Sequence, residues 1–159
     1  MTTAVAALVI VTTVGAGCTA GVLFAFSSFV MPALRRLRPA QGAAAMQSIN
    51  LTAVRPPFMF AFAGTAVLSV ALLVVAVTTL DEAYAPWLVV AAVLYLVGVL
   101  GLTMAYHVPR NDALATLVAD APETTVAWER YAATWTTANH VRAAAGLLAT
   151  AALGIALHV

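Results

Sequence analysis

The stretch PWLVVAAVLYLVGVLGLTMAY, residues 86–106, contains no charged side chain and is almost entirely apolar. A helix of about 20 such residues crosses the hydrocarbon core of a bilayer, so this stretch predicts a membrane-spanning helix. Further uncharged runs cover 1–34, 56–80 and 143–159. Together they indicate four spans, at about 4–30, 57–79, 86–106 and 138–157.

The composition supports the same class of protein. The chain is 64% hydrophobic and 8% charged, with a mean hydropathy of +1.01, whereas a soluble domain is nearer half apolar and a quarter charged. We therefore predict an all-α fold: an integral membrane four-helix bundle with short cytoplasmic interfacial helices, in one domain over residues 1–159. Nothing basic precedes Arg35, so the first run lacks the basic region of a signal peptide and is expected to remain as the first span.

The distribution of positive charge predicts the orientation in the membrane. The chain has no lysine, and its arginines lie in or beside the first and third connections: Arg35, Arg36, Arg38, Arg55, Arg110, Arg130 and Arg142. The second connection carries only Asp81 and Glu82. Because cytoplasmic loops carry the excess of basic residues, we place connections one and three in the cytoplasm and both termini outside the cytoplasmic membrane.

The two basic connections also predict short helices. Residues 40–54 are helix-prone but too polar to cross a bilayer. Asn111 is a candidate N-cap for a helix from Asp112 to about Ala119, and a long helix is predicted from Pro122 to Leu157. In the first span, Gly17 and Gly21 are spaced for a close helix contact, either inside the bundle or in a homo-oligomer.

One face of the last helix carries an unusual set of side chains. In WERYAATWTTANHVRAAAG, residues 128–146, five of them recur three or four positions apart and so share one stripe, with His140 at its border: Trp128, Tyr131, Trp135, Asn139 and Arg142. Interfacial aromatic residues and a lipid-facing arginine are the alternative interpretation. The amide of Asn139 needs a partner, since polar groups in a membrane usually face the bundle interior. We therefore predict that Arg142 also turns inward and forms hydrogen bonds with polar groups of the first or third connection.

Other polar side chains are expected to meet this stripe at the cytoplasmic end. If the connections fold over the bundle, one half-buried pocket forms from Gln47, Asn50, His107, Asn111, Trp135, Asn139 and Arg142. Apolar walls with a few polar groups are typical of a site for a small planar aromatic molecule carrying oxygens.

Several chemistries lack their sequence signatures. There is no Walker-type loop, no GxGxxG, no CxxC and no HExxH. No acidic residue lies inside a span, as a di-iron bundle would need, and three scattered histidines do not predict a metal or haem site. The expected partners are the lipid bilayer and a small planar aromatic substrate, with no nucleic acid.

Four motifs in this order resemble the anthrone oxygenase-like family of small four-span membrane proteins. They are the glycine-rich first span ending in MPAL, the segment MQSIN, the segment VPRNDAL, and WERYAATWTTANHVR. The resemblance covers nearly the whole chain and implies a four-span membrane fold. It also implies oxidation of anthrones to anthraquinones in aromatic polyketide synthesis, with dioxygen as co-substrate and no cofactor. The residues that match the family's motifs are Asn111, Trp135, Asn139 and Arg142.

These residues suit that reaction. His107 or His140 is the candidate base that removes the acidic methylene proton, and the sequence does not choose between them. Asn111, Asn139 and Arg142 are candidates to hold the resulting oxyanion. The predicted substrate-binding residues are Gln47, Asn50, Tyr131 and Trp135, with Trp135 stacking on the planar rings. The alternatives are a non-catalytic membrane protein that binds a lipid or quinone in the same pocket, and a structural or partner-docking subunit.

Overall fold

The protein consists of long helices that lie side by side. The structure is a computed structural model that describes residues 1–118 and 120–159, and within those residues it contains helices and no strand. Helix α1 is Thr3–Leu34, α2 is Pro39–Ala53, α3 is Pro56–Thr78, α4 is Ala85–Ala115 and α5 is Pro122–Ala156. The predicted all-α fold and the helix at 40–54 are confirmed.

Three of these helices, α1, α3 and α4, are long and apolar enough to cross a membrane, with mean hydropathies of 2.0, 2.5 and 2.5. Helix α5 packs along α1 and α4, while α3 bridges α1 and α4 on the other side. The four therefore form a closed ring, and the short α2 lies against the first half of α5. The structure supports a helical membrane bundle, and the crossing of the membrane by α5 stays a prediction.

Small residues allow these helices to approach closely, as is common where lipid surrounds a bundle. A Cβ atom on Gly15 would overlap Thr65 of α3, and one on Gly146 would lie 3.0 Å from the Cβ of Ala20. A Cβ on Gly21, in contrast, would meet nothing within 4 Å. The predicted Gly17–Gly21 pair is therefore not the main contact inside the bundle, because Gly21 lies on the exposed face of α1.

Two prolines lie inside long helices without ending them. Pro32 follows a π-helical segment, Phe26–Val30, and Pro109 follows another, Thr103–His107. A proline ring normally clashes with the carbonyl four residues earlier, and here that carbonyl lies in a widened π turn. As a result, α4 continues unbroken to Ala115.

The prediction that Asn111 caps a new helix is wrong for the same reason. The segment Val108–Ala115 begins before Asn111, whose side chain is free to bond elsewhere. The expected end of that helix at Ala119 lies outside the described residues.

Candidate functional site

The aromatic part of the α5 stripe is buried beneath α2 and the end of α4. Trp128, Tyr131 and Trp135 are only 2%, 8% and 5% exposed. Their rings follow one another along the helix, with centroids 5.8 Å apart for Trp128 and Tyr131 and 6.4 Å for Tyr131 and Trp135. They therefore form packed core, not an aromatic belt facing lipid headgroups.

Asn111 ties α4 to this aromatic row. Its Oδ1 accepts a hydrogen bond from the Tyr131 hydroxyl at 2.8 Å and another from Trp135 Nε1 at 3.0 Å. Tyr131 precedes the predicted fourth span, and burial raises the pKa of its hydroxyl above the usual value. The hydroxyl therefore stays protonated and keeps donating to Asn111.

Two of the polar side chains of α2 lie at the same place. Gln47 Nε2 donates to the carbonyls of Leu114 and Leu117, at 2.8 and 3.0 Å, and so holds α2 against the end of α4. Asn50 lies at the Tyr131 hydroxyl. Its buried Nδ2 has no hydrogen-bond partner in the described part of the chain. Gln47 thus has a full structural role, whereas Asn50 keeps a donor to spare.

Asn139 lies deeper and connects α5 to the π-helical part of α1. It is 0% exposed, and its Nδ2 donates to the carbonyl of Leu23 at 2.7 Å and to Ser27 Oγ at 2.8 Å. A π turn disturbs the regular backbone pairing of a helix, and here the amide of Asn139 supplies a donor to a carbonyl three residues before the π segment Phe26–Val30. Its Oδ1 accepts from Arg142 Nη2 at 2.6 Å.

Arg142 turns inward, as predicted. It is 5% exposed, its Nη1 donates to Thr103 Oγ1 at 2.9 Å, and its Cζ lies 5.2 Å from the centroid of the Trp135 ring. The expected partners were groups of the first or third connection. The partner on α4 is instead Thr103, which lies in the helix itself, before the connection.

Among the residues that the structure describes, the positive charge of Arg142 has no buried counter-charge. Its partners Thr103, Asn139 and the Trp135 ring are all neutral, and its buried Nε has no hydrogen-bond partner among the same residues. The six acidic side chains of the chain are all exposed. The site therefore holds an uncompensated cation in a buried environment.

The structure separates the two candidate histidines. His107 is 1% exposed and meets the Trp135 ring edge-on, with centroids 5.1 Å apart. Its Nδ1 faces the carbonyl of Leu102 at 3.2 Å, and its Nε2 faces the carbonyl of Trp135 at 3.4 Å. His140 is exposed on the outer face of α5. Of the two candidate bases, His107 therefore lies at the site, whereas a shift of one position from Asn139 turns His140 away from the bundle.

A family model described as anthrone oxygenase matches residues 57–152. The chain belongs to the anthrone oxygenase family. No curated protein and no solved structure matches this chain. The matched region contains the site residues of α4 and α5, and the family predicted from the motifs is thus confirmed.

Two contributors to this candidate site were missed in the sequence. Thr103 binds Arg142, and Ser27 binds Asn139. Both are hydroxyl residues near the end of an apolar run. A hydroxyl there can bond to its own helix, so its presence does not predict a contact with another helix. Thr103 does so as well, donating to the carbonyl of Val99 at 2.7 Å.

The site is more closed than the half-buried pocket that was expected. The expected pocket residues all lie at this end of the bundle, but they pack on one another. They are Gln47, Asn50, His107, Asn111, Trp135, Asn139 and Arg142. Tyr131 and Leu114 separate them from a surface groove of about 620 Å³. Within the described residues, no group of three or more His, Cys, Asp or Glu side chains is arranged to hold a metal ion.

Proposed function

We propose that the protein is a membrane oxidoreductase that oxidises a planar phenolic substrate of the anthrone type to a quinone, using dioxygen and no bound cofactor. Membership of the anthrone oxygenase family supports this reaction class. The observation that carries the proposal is the buried and uncompensated charge of Arg142.

An unpaired buried charge costs several kcal/mol of folding free energy unless something compensates it. Neutral hydrogen bonds and one aromatic ring offset only part of that cost. An anionic ligand would complete the site, and the unused Nε–H of Arg142 is a donor for it. Guanidinium stays charged at all ordinary pH values, which suits it to hold an oxyanion.

An anthrone becomes such an anion when it loses a proton from its central methylene group. In the proposed reaction His107 accepts that proton, and the enolate oxygen lies against Arg142 and is stabilised by it. The enolate passes one electron to dioxygen, and recombination of the two radicals with a proton forms a C–O bond and a hydroperoxide. Loss of water across the O–O bond and the remaining C–H bond leaves the quinone carbonyl. One dioxygen is consumed and one water is released for each quinone formed.

Trp135 is the residue positioned to recognise a flat ring. Its indole contacts both Arg142 and His107, so a ring stacked on it would lie within reach of the guanidinium and of the imidazole. Because these groups are packed together, binding requires displacement of side chains at the closed end of the bundle. The contacts of α2 through Gln47 and Asn50 are the ones that would have to loosen.

The test is turnover of an anthrone by protein purified in lipid nanodiscs. Dioxygen uptake and quinone absorbance are measured together, with spontaneous oxidation in empty nanodiscs subtracted. We expect one dioxygen per quinone, and no loss of rate with a metal chelator. Tight binding of the anthrone without uptake above the spontaneous rate would instead favour a protein that binds lipids or quinones without catalysis.

Replacing Arg142 with lysine tests the oxyanion role directly. Lysine keeps the charge but loses the planar set of donors, and loss of one oxyanion donor typically lowers the rate by about 10²–10³-fold. Arg36→Lys is the matched control, because Arg36 is exposed at the first connection. Wild-type turnover in Arg142→Lys, with the control also unchanged, would remove Arg142 from the site.

A further inference from the structure

A surface groove follows the seam between α4 and α5, outside the buried site. Its upper section, about 450 Å³, is lined by apolar and small residues such as Leu102, Ala138 and Val141. Its lower section, about 620 Å³, is lined by two arginines, Arg110 and Arg130, together with apolar residues. The sections share Thr134, so they form one path along the seam.

The lower section presents its positive charge in a fixed place. The guanidinium of Arg110 lies 3.3 Å from the centroid of the Tyr106 ring, and its Nη1 donates to the carbonyl of Tyr106 at 3.1 Å. The Tyr106 hydroxyl donates in turn to the carbonyl of Thr134 at 3.4 Å. Arg130 is exposed on the other wall, and Glu123 also lines this section, so one positive charge remains in excess.

The groove crosses the predicted start of the last span at residue 138. Arg130 lies before that position and Val141 lies after it, on the same helix. At 1.5 Å per residue they are about 16 Å apart along its axis. The groove thus places its cationic end at headgroup depth when its apolar end lies in the acyl region.

We propose that this groove binds one anionic phospholipid. The phosphate lies between Arg110 and Arg130, and one acyl chain runs along the upper section past Thr137 to Val141. The groove is open along its length, with Thr134, Thr137 and Val141 exposed, so the surrounding lipid has direct access to it. Basic pockets between membrane helices suit anionic headgroups. This proposal does not depend on the oxidation of an anthrone.

The test is native mass spectrometry of the purified full chain, with phosphatidylglycerol or phosphatidylcholine of identical acyl chains added. We expect one retained phosphatidylglycerol, at least about tenfold preferred over phosphatidylcholine. The double variant Arg110→Gln/Arg130→Gln should lose this preference. The matched control Arg35→Gln/Arg36→Gln removes two exposed arginines from the first connection and should keep it.

A second variant tests the acyl part of the groove without changing any charge. Thr137→Phe fills the upper section, and it should weaken phosphatidylglycerol binding about tenfold while its thermal unfolding stays like that of the wild type. Equal binding of the two lipids by the wild type would overturn the proposal. Equal losses of phosphatidylglycerol preference in the two double arginine variants would also overturn it, because the effect would then come from general surface charge. Binding of a second copy of the chain in place of the lipid would overturn it as well.

Discussion

Replacing Asn139 with alanine should destabilise the bundle more than replacing an exposed polar side chain of the same helix. This side chain is 0% exposed and makes three hydrogen bonds, to the Leu23 carbonyl, to Ser27 and to Arg142. The substitution removes all three at once. It also leaves Arg142 with a second buried donor that lacks a partner, beside its Nε.

The size of the effect follows from the kinds of bond. A hydrogen bond to a charged group contributes about 1.5–3 kcal/mol, and neutral bonds between membrane helices average about 0.6 kcal/mol. Taking the lower value for the Arg142 bond and the average for the other two, the loss is roughly 3 kcal/mol in the free energy of unfolding. Thr137→Ala on the same helix is the control, since Thr137 is exposed and bonds only to its own helix, at the carbonyl of Ala133.

Reversible unfolding by SDS in mixed micelles, followed by far-ultraviolet circular dichroism, measures this difference. The control should change the free energy of unfolding by less than about 0.5 kcal/mol. A loss in Asn139→Ala no greater than that of the control would refute the reasoning. It would mean that the bonds from Asn139 to α1 and to Arg142 do not hold the helices together.

Three further predictions concern the orientation, the packing and the pH response. With the native cysteine replaced by serine, a cysteine at Ala83 should react with an impermeant reagent from outside the cell, and one at Ala115 only from the cytoplasm; labelling of both from one side would contradict the topology. Gly42→Ala should lower the melting temperature although alanine is the better helix former, because the new Cβ would lie 2.8 Å from a tryptophan ring and 2.9 Å from a backbone carbonyl. Gly64→Ala is the control and should not lower it, because its new Cβ would meet nothing within 4 Å. Tyr131→Phe should melt below the wild type at about pH 8, and the gap should narrow by about pH 11. Burial raises the pKa of Tyr131 from 10.0, so the stability that the neutral hydroxyl gives the fold is present below that pH and is lost as the pH rises further. A constant difference in melting temperature between the two proteins would show that the hydroxyl is not held neutral.

The sequence alone determined the class of the protein, most of its helices and the shared face of its candidate site residues. Uncharged runs identify helices that are long enough to cross a bilayer, because that property depends only on local composition. Spacings of three and four residues placed Trp135, Asn139 and Arg142 on one stripe, because a regular helix fixes that geometry. The inward direction of Arg142 followed from its place beside a buried amide.

Only the tertiary structure decided what this stripe meets. Helix α4 contains two π-helical segments, Leu94–Gly101 and Thr103–His107, and each extra residue in a turn rotates the following side chains by about 100°. The positions of Thr103 and His107 relative to Arg142 therefore could not be derived from a regular helical period. The same π turns let α4 continue through Pro109, which leaves Asn111 inside the helix with its side chain directed to Tyr131 and Trp135. Local sequence sets the face of each helix, but the rotation of one helix against another depends on packing along its whole length.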